Sequence, residues 1–352
     1  MLKQSKSYLK RAAMCASIMG AILVFYTSAI AQDKVADNVL LFQRSVGGWS
    51  KHYNSKKVDY NVTLSEQEKK QVLAQGKNND ATIDNHSTVK EIKILLQAYK
   101  KHQNPAYLQA AERGIEYLLQ AQYPTGGWPQ FYPDHSGYRG QITYNDNAIA
   151  NVLNLLQDVV EKKNGTEALN ASFIPRASAA IEKGVESILR TQLVVNNKLS
   201  GWAAQYDPIT LKPATARKYE LPGLTALETV GIVEFLMRVP APSDKVIQAV
   251  DGAVDWLKAS AIKGYTAKII ADPTQPKGRD RVLVAEPNGV TWARYYEIDT
   301  NRPFFSGRDG VKKYKLEEIE VERRVGYGWY GSWPDDLLSK DYPRWKSAVS
   351  KK

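Results

Sequence analysis

Cysteine is nearly absent from this chain: Cys15 is the single one in 352 residues. It lies in an N-terminal stretch that reads as removed on export, so neither a thiol nucleophile nor a disulfide framework is expected in the mature chain. An exported protein without disulfides must hold together by core packing or with the help of a metal. Histidine is scarce as well. His52, His86, His102 and His135 are the four present, which argues against a histidine-rich metal site. No His-Glu-x-x-His zinc motif, no Gly-x-Ser-x-Gly elbow and no EF-hand spacing occurs. There is no Asp-rich cyclase motif and, past the first residues, no block of Lys and Arg of the kind that binds nucleic acid.

The N-terminus bears on the compartment. Lys3, Lys6, Lys10 and Arg11 precede a mostly apolar run from Ala12 to Ile30, and Ala29-Ile30-Ala31 places small residues where a signal peptidase needs them. The apolar core Ile18 to Tyr26 is short for a membrane-spanning helix. A signal peptide over 1–31 is expected, followed by a single catalytic domain over 32–352, secreted or periplasmic, with no stable membrane insertion after processing. The formal charge is +11, and the first 31 residues supply four of the positive charges and no acidic one, which leaves +7 on the remainder. A basic exported protein suits an acidic partner such as a polyuronate, a teichoic acid or an anionic surface; it also suits plain solubility. A monomer is expected.

Apolar residues recur at helical spacing through most of the chain. Ile92, Leu95, Leu96 and Tyr99 fall on one helix face within 85–102. Asn104-Pro105 supplies a cap and a proline at the first helical position. Further helices are predicted over 147–160, 174–193, 224–237 and 243–258, and Thr63-Leu64-Ser65-Glu66 has capping-box spacing. Between Tyr265 and Ile298 the pattern loosens, and Ile269-Ile270 and Val282-Leu283-Val284 suggest short strands or extended loops. Gly47-Gly48-Trp49, Gly126-Gly127-Trp128 and Ser200-Gly201-Trp202 recur 79 and 74 residues apart. The expected fold is therefore mainly α: an α/α toroid of about three helix-hairpin repeats, with minor short strands and long loops. The tryptophans read as structural, and the polar loops as functional.

Three polar clusters sit where loops enter helices. Ala81 to Thr88 contains Asp84 and Asn85; Ile142 to Asn147 contains Asp146. A helix cap accounts for one residue in each, not for the whole run. Asp and Asn oxygens converging from two such loops suit calcium, a hard cation. Lys212 to Pro222, with Arg217, is the third cluster. Trp292 to Tyr296 and Asn301 to Asp309 interleave aromatics with Arg294 and Arg308, a pattern suited to a sugar-acid groove or to a core. Asp84 with Asp146 also suits the paired acid and base of a glycoside hydrolase.

Taken together, Asn38 to Gln43 with Gly47-Gly48-Trp49, Thr82-Ile83-Asp84-Asn85, Gly126 to Gln130, Ile142 to Asp146, Lys212 to Pro222, and Tyr296-Glu297 through Arg308 resemble the family-ten pectate lyases. The resemblance implies calcium-assisted β-elimination of polygalacturonate. It implies that Asp84 and Asp146 hold calcium with Asn85 beside them at the substrate, that Arg217 is the base, and that Arg294 and Arg308 grip carboxylates. Two alternatives stand beside it: a glycoside hydrolase of toroid fold, and a non-catalytic protein that binds acidic polysaccharide. Trp and Gln repeats also occur in terpene cyclases, a reading weakened by export.

Overall fold

The computed structural model describes residues 33–351; the expected signal peptide at 1–31 lies outside the described residues. The first eight helices are α1 (Lys34–Phe42), α2 (Glu66–Ala74), α3 (Val89–His102), α4 (Pro105–Ala121), α5 (Ala148–Glu161), α6 (Phe173–Thr191), α7 (Ala226–Arg238) and α8 (Asp244–Ala259). Helix α3 packs on α4, α5 on α6 and α7 on α8, because each presents an apolar stripe that only a neighbouring helix can cover. The helices expected from periodicity are present within a few residues of their predicted ends. Asn104 caps α4 through Ala106 N–H at 3.0 Å, with Pro105 at its first position. The cap of α2 differs from expectation. Ser65 pairs with Glu68, not Thr63 with Glu66, since the helix begins at Glu66 and Glu68 reaches back to Ser65 N–H at 2.7 Å.

A single tryptophan anchor, the Trp turn, is used four times, after tight turns at Trp49 and Trp128, after a hairpin at Trp202 and at the end of a strand at Trp292. Trp49, Trp128, Trp202 and Trp292 are all buried, and each indole N–H donates to a helix carbonyl: Val39, Leu118, Ile188 and Leu257, at 2.7–2.8 Å. Three glutamines just past helix ends clasp successive units. The Gln43, Gln122 and Gln192 amides each donate to the Trp turn that follows and to a carbonyl of a later helix, Ala110, Ala180 and Ala249 respectively. Gly126 has φ 94°, and a Cβ there would lie 2.0 Å from the Lys183 carbonyl oxygen, so only glycine lets the turn approach that helix.

The expected three-hairpin, mainly helical toroid is overturned by the strands. The described residues carry five small sheets, and past α8 the chain is largely extended. The region read as short strands or loops forms a ribbon, Ile262–Ala271 paired antiparallel with the fifteen-residue strand Arg279–Ala293. Ile262, Tyr265, Thr266, Ile269, Ile270, Val282, Val284, Val290 and Thr291 give it a β-branched and aromatic composition that favours strand over helix. Tyr330–Gly331 adds a third strand on the other edge of Arg279–Ala293. A four-stranded sheet runs in the order Lys312–Lys313, Pro303–Ser306, Tyr295–Tyr296, Leu224–Thr225. The helices α9 (Val321–Gly326) and α10 (Tyr342–Val349) follow. No described helix is long and apolar enough to cross a membrane.

The Trp turns position what comes next. The N–H groups of Thr82, Thr143 and Thr225 donate to the carbonyls of Trp49, Trp128 and Trp202. The next N–H, of Ile83, Tyr144 and Ala226, donates to Gln130, Ala204 and Arg294 of the following turn, at 2.8–3.2 Å. Each polar loop is thereby tied to two successive Trp turns before its helix starts.

Candidate active site

Two of the polar loops adopt the same conformation. Asn85 and His86 have φ 51° and 64°; Asp146 and Asn147 have φ 52° and 59°. Asn, Asp and His tolerate this left-handed region better than most residues. Helices α3 and α5 begin just beyond, and neither uses a side-chain cap. Asp84 and Asp146 are therefore free of the capping role that would otherwise account for them, and the two turns pack against each other.

Asp84 is buried and ion-paired with Lys51, while its Oδ1 is buried without a partner. Asn85 beside it is exposed. Asp146 Oδ1 accepts from Arg294 Nη2 at 3.0 Å and its Oδ2 from Asn145 Nδ2 at 2.9 Å. Arg294 is itself buried, and the same Nη2 reaches Glu228 Oε1 at 2.5 Å. Burial works against its charge, but Glu228, Tyr327, Tyr295 and Asp146 outweigh it and raise its pKa well above the ordinary arginine value. Its backbone is held between the strands Arg279–Ala293 and Tyr295–Tyr296, which belong to different sheets. Its N–H donates to Trp329 and its carbonyl accepts from Ala226.

Arg217 grips Glu220 in a fork, Nε to Oε2 at 2.7 Å and Nη2 to Oε1 at 2.5 Å. Desolvation pulls the guanidinium pKa down, and the hydrogen bond and charge of buried Glu220 more than reverse this, so the net shift is upward. Tyr327 joins the two arginines. Its hydroxyl donates to Glu220 Oε1 at 3.0 Å and lies 2.9 Å from the Tyr295 hydroxyl, and Arg294 stacks 4.7 Å from its ring centre. On the other side Tyr219 carries Arg217, Arg323 and Arg308 at 4.9, 4.8 and 5.4 Å from its ring centre. Arg308 is exposed and pairs with Glu322 at 3.2 Å.

The geometry gathers Asp146, Arg294, Arg217 and Arg308 into one chain of contacts through Tyr327 and Tyr219, with the Asp84 turn packed against the Asp146 turn. A network so rich in guanidinium, with aromatic faces between, fits a ligand that carries carboxylates on sugar rings. Among the described residues no three Asp, Glu, His or Cys side chains converge as a ready-made metal cage. The orphaned Asp84 Oδ1, together with Asp146, nonetheless has the oxygen chemistry of a calcium site, which would need further oxygen ligands to complete it.

The family model described as pectic acid lyase matches residues 43–338. This chain belongs to the pectic acid lyase family. An aspartate-to-alanine mutant of the family 10 polysaccharide lyase from Cellvibrio cellulosa, in complex with trigalacturonic acid, is 32% identical to it. That match covers 88% of this chain and 92% of the other, with a TM-score of 0.77. The family 10 polysaccharide lyase from the same organism is 33% identical over 88% and 91%, also with a TM-score of 0.77. No curated protein matches the chain.

In this pectic acid lyase, sequence reasoning missed Lys51, Glu220, Glu228, Arg323 and Tyr327 as site residues. For Lys51 a signal existed. It stands two residues after Trp49, as Arg294 stands two after Trp292, and each sends its cation to one of the two polar turns. Glu220 lies within fork reach of Arg217 in the same loop. Glu228 and Tyr327 carry no local signal, because they join the site only through tertiary packing.

Proposed function

We propose that this lyase cleaves polygalacturonate by calcium-assisted β-elimination, after export and removal of residues 1–31. The observation that carries the reading is the buried Arg294–Glu228 pair, with half-buried Asp146 on the same guanidinium, linked through Tyr327 to Arg217 in a chain of this family. Elimination takes the proton from C5 beside a uronate carboxylate and breaks the C4–O bond. The electron pair of the C–H bond becomes the C4–C5 double bond, and the leaving oxygen departs with the pair it shared with C4. Charge accumulates on the carboxylate as the proton leaves, and fixed guanidinium donors stabilise it where it forms.

Arg294 and Arg308 hold uronate carboxylates, and Arg217 accepts the C5 proton. In the free chain Glu220 keeps Arg217 charged, so the fork must open as substrate enters before Arg217 can take a proton. Asp84 and Asp146 would hold calcium, with Asn85 at the substrate. When bound, calcium supplies positive charge beside the carboxylate that is losing its neighbouring proton. The hydrolase alternative fits less well. Asp84 faces Lys51 and Asp146 faces Arg294, and neither sits in the apolar pocket that keeps a general acid protonated.

The test is ultraviolet absorbance during digestion, since elimination alone creates a conjugated double bond. Purified protein should raise it on polygalacturonate and less on highly methylated pectin. New reducing ends without absorbance would transfer the assignment to a hydrolase.

A further inference from the structure

We propose that Arg281 anchors a second carboxylate site, outside the network above, that takes a further uronate residue of the polysaccharide; the ligand class rests on the function just proposed. A cavity of about 200 Å³ lies on the ribbon, lined by Thr266, Lys268, Arg281, Thr291, Tyr330 and Ser332 among others. Among the described residues, Arg44, Arg139, Arg238, Arg294, Arg323 and Arg324 are partly or fully buried and each has a carboxylate partner. Arg281 is partly buried too, and it has none. Its Nε is buried with no hydrogen-bond partner, and desolvation pushes its pKa down; the carboxylate of the adjacent Asp280 is taken by Arg324 and by the Arg281 backbone N–H.

A half-buried guanidinium without a counter-charge is costly unless something binds it. What fits is an anion that presents two oxygens to the fork. Lys268 adds positive charge and is only loosely engaged, 3.8 Å from Glu286. The hydroxyls of Thr266, Thr291 and Ser332 and the ring of Tyr330 are the groups that hydroxylated sugars use. The cavity is also tied to the first site along the strand that leads to Arg294. Thr291 stands three residues before Arg294 in sequence, and Tyr330 pairs with Ala293 immediately before it. A polyuronate carries a carboxylate on every sugar, so a chain held at Arg294 has further carboxylates to offer this cavity.

The test compares the full chain with Arg281→Gln and Arg281→Lys. On polygalacturonate Arg281→Gln should raise KM about tenfold, the loss of one charge-assisted hydrogen bond, with kcat unchanged and partial recovery in Arg281→Lys. Its Tm should hold or rise, because the substitution removes an unpaired, partly buried charge; a fall in Tm would make Arg281 structural and overturn the proposal. Calorimetric titration with hexagalacturonate should show the same tenfold weakening, and equal affinities and KM values in both proteins would also overturn it. Inorganic phosphate that bound as tightly as hexagalacturonate, and as dependently on Arg281, would overturn the uronate assignment. If the wild-type chain produced no absorbance change at all, the proposed activity would fail, and calorimetry alone would decide the Arg281 site.

Discussion

At the scale of single residues, the charge on Arg217 is the central question. An arginine that accepts a proton must first be neutral, and the Glu220 fork favours the charged form. Lysine at this position separates the two roles. If Arg217 accepts the C5 proton, Arg217→Lys should lower kcat by at least about 100-fold with little change in KM, the scale of a lost general base. The residual kcat should rise with pH toward a limb near or above about 10, the ordinary lysine value, since Glu220 favours protonated lysine too. If Arg217 only holds a carboxylate, Lys should recover most of kcat, raise KM and leave no such limb. Steady-state rates on polygalacturonate from neutral to alkaline pH decide between them. Much of this site was legible at residue level: Asp84, Asp146, Arg217 and Arg294 are ordered by motif. Their partners were not, because Glu228 meets Arg294 across 66 residues and Tyr327 meets Glu220 across 107.

At the scale of elements, the glutamine clasps do what helix packing alone does not. Helix pairs are covered by their apolar stripes, and successive pairs also touch, α4 on α6 and α6 on α8; the clasps add directional bonds to those looser contacts. Gln192 is buried, and its amide bonds Ser200 and Ala249 carbonyls at 2.8 Å each, which joins the end of α6 to α8. Truncation leaves both carbonyls without that donor. Gln192→Ala should therefore cost about 2–3 kcal/mol of stability, read as a lower urea midpoint with an unchanged slope. An unchanged midpoint would mean that water replaces the clasp. The fourth use of the Trp turn, at Trp292, was hidden in the sequence for a related reason. It follows a long β-ribbon in place of a helix, so it lacks the Gly-Trp pair and the preceding glutamine that marked the other three. The capping box was misplaced because both Thr63 and Ser65 offer a hydroxyl three residues before a glutamate, and only the observed helix start chooses between them.

At the scale of the whole molecule, helix positions followed from periodicity, while the architecture did not, because the strands are set by pairing between distant segments. The same distinction applies to calcium. A metal that holds a fold together is enclosed by protein ligands, and its removal lowers stability. Here the described donors at the site are few, Asp84 Oδ1 and Glu228 Oε2 being the buried carboxylate oxygens left without a partner there, and in the proposed site the rest of the coordination would fall to substrate and water. Removal of calcium should therefore abolish turnover without unfolding the chain. Excess chelator is expected to eliminate the rise in absorbance on polygalacturonate, with Tm in calorimetry changed by less than about 2 °C. Added calcium should restore the rate better than magnesium, which demands tighter octahedral geometry and gives up water reluctantly. Asp84→Asn should raise the calcium concentration needed for half-maximal rate while the protein stays folded. Full activity in chelator would remove the metal from the mechanism, and a large fall in Tm would place a structural ion elsewhere in the molecule.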